Sequence, residues 1–194
     1  LETIGALEST EMGTPISFSM RAHAQGPLMM LAGHMEFLAK GPHNELIGNS
    51  RVVREPIGPV AAFTPWNVPM SAPSRKISAS LAAGCSIILK PASETPATAC
   101  LFAQCFMDAG LPKGVLNVVF GDSDEVSRTL ILSPITRMVS LTGSVNVGRR
   151  LMLLAAEAMK PTLMELGGHA SVLIDENVND DEIAQLAINW KYRM

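Results

Sequence analysis

Charge is scarce in this chain. Of its 194 residues only 17% are Asp, Glu, Lys or Arg, against 47% apolar, where ordinary soluble domains carry roughly 25% charged residues. So little charge implies surface that is covered by other subunits or by further chain. No run of Lys and Arg occurs and the formal net charge is -3, which removes the basic footprint that nucleic-acid binding needs. Cysteine is scarce too. Cys85, Cys100 and Cys105 form no CxxC pair, and an odd number at this spacing argues against a disulfide framework and fits a reducing, cytoplasmic setting. All three read as small buried hydrophobes, Cys85 at the start of an apolar strand and the others on a helix packed against a sheet. Every apolar run is interrupted by charge, Gly or Pro before the ~20 residues of a membrane helix are reached. His23, His34, His43 and His169 have no metal-ligand spacing and read as surface or ordinarily hydrogen-bonded residues. An initiator Met and a signal pattern are missing, and residues 190–194 stop inside an apparent helix, so both ends read as cuts.

What is present is a regular alternation. Residues 1–12 have helical spacing and stop at Gly13-Thr14-Pro15; residues 17–40 predict a second, long helix before Gly41-Pro42. A short β-prone stretch follows at 50–54, then the apolar run Val60-Ala61-Ala62-Phe63, a buried strand. Beyond it the pattern predicts helices over 71–83, 95–109, 124–132 and 146–159, interleaved with strands over 86–89, 116–119, 138–141, 162–166 and 171–174. Short apolar strands alternating with amphipathic helices signal βαβ crossovers. The fold class is therefore α/β, a doubly wound and mostly parallel sheet.

In such sheets ligands bind beyond the carboxyl ends of the strands. The predicted strands end in Thr64-Pro65-Trp66-Asn67, in Lys90-Pro91-Ala92-Ser93, in Thr142-Gly143-Ser144 and in Glu165-Leu166-Gly167-Gly168. An amide, an ammonium, a hydroxyl beside glycine and a carboxylate beside two glycines would line one sheet edge. Gly143 and Ser144 precede a helix, so free N–H groups and a positive helix end would suit a phosphate there. Taken alone the same residues suit a turn that merely caps the helix. No Gly-x-Gly-x-x-Gly follows any predicted strand, so the ordinary dinucleotide fingerprint is absent.

Five segments nevertheless recur in one order: Phe63-Thr64-Pro65-Trp66-Asn67, the run 90–96, the run 109–118, Leu141-Thr142-Gly143-Ser144 with Gly148-Arg149, and Glu165-Leu166-Gly167-Gly168. Together they resemble the ordered motifs of the aldehyde dehydrogenase superfamily, strongly from about residue 55 to 174 and more loosely toward both ends. The resemblance implies a modified Rossmann domain that binds NAD or NADP without the glycine fingerprint, truncated before the catalytic domain. It also implies packing helices over 1–43, the start of an oligomerisation hairpin over 44–58, a nucleotide-binding core over 59–194, and a homodimer or homotetramer when full length.

By the same resemblance a cysteine thiolate outside these residues attacks the aldehyde, and the product is a carboxylic acid. Asn67 matches the donor to the oxyanion. Glu165 matches the general base, at a strand end where burial would raise its pKa. Lys90 and Ser93 match ribose-contacting positions, Gly143 and Ser144 lie near the pyrophosphate, and Thr64, Pro65, Trp66, Gly121, Leu166 and Gly167 fall near the coenzyme. For Gly121 a plain turn fits equally well. Arg75 matches a position that binds the distal carboxylate in succinate-semialdehyde dehydrogenases, although a surface Arg paired with an acidic side chain fits as well. Ser93 stands where many NAD-preferring relatives have Glu, which implies that NADP is tolerated, unless Ser93 only caps the next helix. Two alternatives stay open: an acyl-coenzyme A or acyl-phosphate forming reductase of the same superfamily, or a coenzyme-binding module without turnover.

Overall fold

The computed structural model describes residues 2–41 and 44–191. Helix α1 (Glu2–Met12) ends at Gly13, whose φ of 80° is the left-handed conformation that lets a helix stop. The long second helix predicted over 17–40 is broken. A short helix α2 (Ile16–Phe18) runs into a π turn (Ser19–His23), and α3 (Gly26–Ala39) starts afresh with Pro27 in its first turn. Pro27 has no N–H to donate to the preceding turn, so the helix restarts there rather than running through. Beneath the π turn the fully buried Glu8 accepts a hydrogen bond from Ser19 Oγ at 3.0 Å and lies 3.4 Å from His23 Nδ1. His34 Nδ1 lies 3.0 Å from both Met30 O and Ser78 Oγ, while His43 falls outside the described residues.

Strands β1 (Glu45–Ile47) and β2 (Ser50–Val52) form an antiparallel hairpin. Its Leu46 and Ile47 are exposed. The main sheet has five parallel strands in the order β5-β4-β3-β6-β7. They are β3 (Val60–Phe63), β4 (Ile87–Lys90), β5 (Leu116–Val118), β6 (Met138–Thr142) and β7 (Thr162–Glu165). The crossovers are α4 (Ser71–Ala82), α5 (Pro96–Asp108), α6 (Ser123–Leu132) and α7 (Val145–Glu157).

Alternation along β3 explains the two layers of helices. Val60 and Ala62 point to one face and pack with Ile77, Phe102 and Ala103 of α4 and α5. Ala61 and Phe63 point to the other and pack with Ile131, Leu151 and Ala155 of α6 and α7. All four residues of β3 are buried, as a central parallel strand requires. Local chemistry starts the helices. Asp122 caps α6 by accepting from Asp124 N and Glu125 N at 3.0 and 2.9 Å, and Ser144 caps α7 by accepting from Val147 N at 3.3 Å. Gly148, one turn into α7, leaves room for the next strand's end: a Cβ there would lie 2.5 Å from Leu166 Cδ2.

Two further expectations about the fold fail. Residues 171–174 form no strand: beyond the edge strand β7 nothing pairs with them, and Val172, Leu173 and Ile174 are exposed. Of the cysteines only Cys85 is buried. Helix α5 turns Thr98, Ala99, Phe102 and Ala103 to the core; Cys100, about 200° round from Thr98, faces away from it, and Cys105, near the end of the helix, is exposed as well. Helix α8 (Asp180–Lys191) follows, with Asn179 Oδ1 accepting from Asp181 N and Glu182 N, and with Leu186, Ile188 and Trp190 exposed. Among the described residues no helix is long and apolar enough to cross a membrane.

Candidate functional site

The chain leaves β3 in one direction, toward α4 and β4, and later returns on the other side of β3 as β6. The crossovers therefore diverge at the carboxyl ends of these strands and open a crevice, the place where doubly wound sheets bind ligands. A cavity of about 1080 Å³ lies there, at the upper end of the roughly 300–1,000 Å³ typical of ligand pockets. From the end of β3 come Thr64, Pro65, Trp66 and Asn67; from β4, Lys90 and Ser93; from β6, Gly143 and Ser144; from β7, Glu165, Leu166 and Gly167. Segments up to about a hundred residues apart in sequence thus meet around one space. Gly121 and Arg75 do not line it. Gly121 sits in the turn before α6 with φ 141°, where a Cβ would come within 3.1 Å of Val126.

The walls carry groups that a polar anionic ligand can use. The Thr64 side chain is buried, and its hydroxyl has no hydrogen-bond partner. Buried polar groups are normally satisfied, so this hydroxyl is an exception beside the cavity. Lys90 is also buried, its ammonium donating to the Pro91 carbonyl at 3.2 Å. Ser144 and Val147 of the first turn of α7 line the cavity, which sets the positive end of that helix at its edge. The Gly143 N–H is not free, because it donates to Glu165 O at 3.0 Å and extends the pairing of β6 with β7. Ser93 is exposed on the wall beside Glu94 and does not cap α5, a role taken by a residue of α1 described below.

Glu165 departs from expectation. Its side chain is 58% exposed rather than buried, and it is held by Thr142 Oγ1 at 3.0 Å and by Arg75 Nη1 at 3.4 Å. Arg75, 55% exposed, is therefore paired with an acidic side chain here. The sequence reading overlooked its neighbour. Lys76, half-buried, donates to Ser140 Oγ on β6 at 2.8 Å. Burial lowers its pKa to about 8; the Glu165 carboxylate opposes the shift and the Arg75 guanidinium adds to it. A lysine one helical turn or more beyond Asn67 on the helix leaving the same strand end was the available signal. Arg75, Lys76 and Glu165 together give two cations and one carboxylate at the sheet edge, with one proton held loosely enough to move near neutral pH.

None of the three cysteines lines the cavity. Among the described residues no group of His, Cys, Asp and Glu side chains is arranged to hold a metal ion.

A five-stranded parallel sheet with helices on both faces, and a cavity at its switch point, is the doubly wound α/β architecture. Residues 1–193 match the model of the aldehyde dehydrogenase family. The chain belongs to that family. Over 147 residues it is 45% identical to a 4-(hydroxymethyl)benzenesulfonate dehydrogenase of Comamonas testosteroni, covering 75% of this chain and 31% of that protein. Over 201 residues it is 35% identical to the NADP(+) succinate-semialdehyde dehydrogenase of Escherichia coli, covering 99% of this chain and 41% of the relative. The crystal structure of an aldehyde dehydrogenase C mutant from Pseudomonas syringae, in complex with NAD+ and octanal, superimposes with a TM-score of 0.95 at 32% identity, covering 99% of this chain and 40% of that one. The chain spans between about a third and two fifths of the length of these relatives. It corresponds to the N-terminal portion of succinate- and glutarate-semialdehyde dehydrogenase-like proteins.

Proposed function

We propose that this chain is the coenzyme-binding portion of a longer enzyme that oxidises an aldehyde to a carboxylic acid with NAD(P)+. One observation carries the reading: Asn67, Glu165, Lys90, Ser93 and Ser144, from four strand ends, surround a single cavity of dinucleotide size. When bound, the coenzyme supplies the hydride acceptor. Lys90 and Ser93 hold its ribose, and the first turn of α7 with Ser144 receives a phosphate. The orphan Thr64 hydroxyl, with Pro65, Trp66, Leu166 and Gly167, completes the wall. The Asn67 amide donates to the developing oxyanion without carrying a charge of its own. Glu165 takes the proton of the attacking water, and Lys76, with its pKa near 8, holds a neighbouring proton. The nucleophilic thiol comes from outside these residues. The exposed apolar residues of the β1–β2 hairpin support assembly into a homodimer or homotetramer.

Product analysis tests the reaction. The complete enzyme, given aldehyde and NAD(P)+ with and without coenzyme A, is expected to release free acid in both cases. Formation of acyl-coenzyme A instead would assign it to the acyl-transferring branch. An Arg75→Leu arm tests substrate. A guanidinium released from Glu165 by substrate would hold a distal carboxylate, so kcat/KM for carboxylate-bearing aldehydes should fall at least about tenfold relative to neutral ones. Equal values for both classes before and after the substitution remove that role.

Coenzyme choice follows from Ser93. Its hydroxyl donates to a 2′-phosphate oxygen and the buried Lys90 ammonium supplies positive charge, so NADP is accepted. Ser93→Glu should shift the ratio of kcat/KM values toward NAD by on the order of a hundredfold, through like-charge repulsion and the lost donor. A wild type a hundredfold better with NAD, or a variant with an unchanged ratio, would contradict this.

A further inference from the structure

Helix α5 begins immediately after the loop that carries Ser93 and Glu94 into the cavity, and its own sequence does not cap it. The residue at its cap position, Thr95, makes no side-chain cap bond; its hydroxyl is buried without a partner, and Pro96 follows in the first turn. The N–H groups of the first turn have no acceptor inside the helix. The acceptor comes from the far end of the chain. Glu11, in the last turn of α1, takes Ala97 N on Oε1 at 2.8 Å, and Thr98 N and Thr98 Oγ1 on Oε2 at 2.8 and 2.6 Å. Thr98 is buried, and all three bonds are charge-assisted and aligned with the positive end of the helix.

We infer that Glu11 is a positioning residue for the coenzyme: it fixes the start of α5 and, through the loop 90–95, the side chains of Ser93 and Glu94 at the cavity wall. The loop has little other freedom. Lys90 at one end is paired into the sheet and buried, Pro91 and Thr95 are buried, and Thr95 N closes a turn on Ala92 O at 3.4 Å. Only Ser93 and Glu94 stand exposed on it. With both ends fixed, their placement is set before ligand arrives, and the ordering cost of binding falls. Without the clamp at the α5 end, the first turn of α5 frays and the loop must be ordered by the coenzyme itself. Glu11 lines no part of the cavity, so its removal should act on coenzyme affinity rather than on chemistry.

This inference rests on the coenzyme site proposed above, and the experiment separates the two. Dissociation constants for NAD and NADP are measured by calorimetry on the complete enzyme, with kcat at saturating coenzyme, for wild type, Glu11→Gln, Thr98→Val and Lys90→Ala. Glu11→Gln should raise both dissociation constants about tenfold while kcat at saturation stays within about twofold. Thr98→Val, which removes one of the three donors at constant volume, should raise them about threefold and serves alone if Glu11→Gln does not fold. Unchanged dissociation constants in both variants, beside a weakened Lys90→Ala, would overturn the clamp and leave the coenzyme site standing. Unchanged constants in Lys90→Ala as well would overturn the site and the clamp together.

Discussion

Asn67→Ala in the complete enzyme should lower kcat by about 10²–10³-fold and leave the dissociation constant for coenzyme within about twofold. Asn67 lies just beyond β3, in the turn that leads into α4, and is half-buried on the wall of the same cavity that Glu165 lines from the end of β7. A carbonyl oxygen gains full negative charge only when the tetrahedral intermediate forms. A donor placed for that charge therefore strengthens between ground state and transition state, and its loss appears in kcat rather than as uniform weakening of binding. An amide suits the task because it donates without charge, so it forms no ion pair with Glu165. Asn67→Asp, nearly the same in shape, puts an acceptor where a donor is needed and should be at least as damaging. Steady-state kinetics with a fixed aldehyde, paired with coenzyme titration, check both variants. A kcat for Asn67→Ala within about threefold of wild type would remove the oxyanion role.

The central sheet, and the strand ends that line the candidate cavity, were legible in the sequence because both rest on local pattern. Each buried strand is a short β-branched or Ala-rich run, and the chemistry-bearing residues follow those runs directly, as Asn67 follows Phe63 and Glu165 ends the run from Thr162. Once the strands are parallel, their ends must meet on one edge. Features that depend on distant partners were not legible. The strand expected over 171–174 is apolar enough to form one, but nothing beside β7 receives it. Cys100 and Cys105 sit in an apolar helix, yet both are exposed, Cys100 by its angle about the helix axis and Cys105 by its place near the helix end, neither of which composition reports. The exposed, ion-paired state of Glu165 follows from Arg75, 90 residues earlier. The Glu11 clamp on α5 spans 86 and 87 residues and has no counterpart in local spacing. Pro27 was visible, and its power to restart a helix should have outweighed the apolar periodicity around it.

In the enzyme proposed above, coenzyme binds to these residues and the nucleophile lies outside them. Hydride leaves an aldehyde carbon only after a nucleophile has made that carbon tetrahedral. The thiols within the 194 residues are not arranged to do so: Cys85 is buried in the core, and Cys100 and Cys105 are exposed on α5 and line no part of the cavity. Loss of turnover should therefore be complete while coenzyme affinity persists, through Thr64, Lys90, Ser93 and the first turn of α7. The most direct measurement uses the purified 194-residue chain, titrated with NAD+ and NADP+ by tryptophan fluorescence and then incubated with a semialdehyde while reduced nicotinamide is followed by absorbance. Saturable quenching through Trp66 with no reduced coenzyme formed is the predicted result; steady production of NADH or NADPH by the chain alone would contradict it.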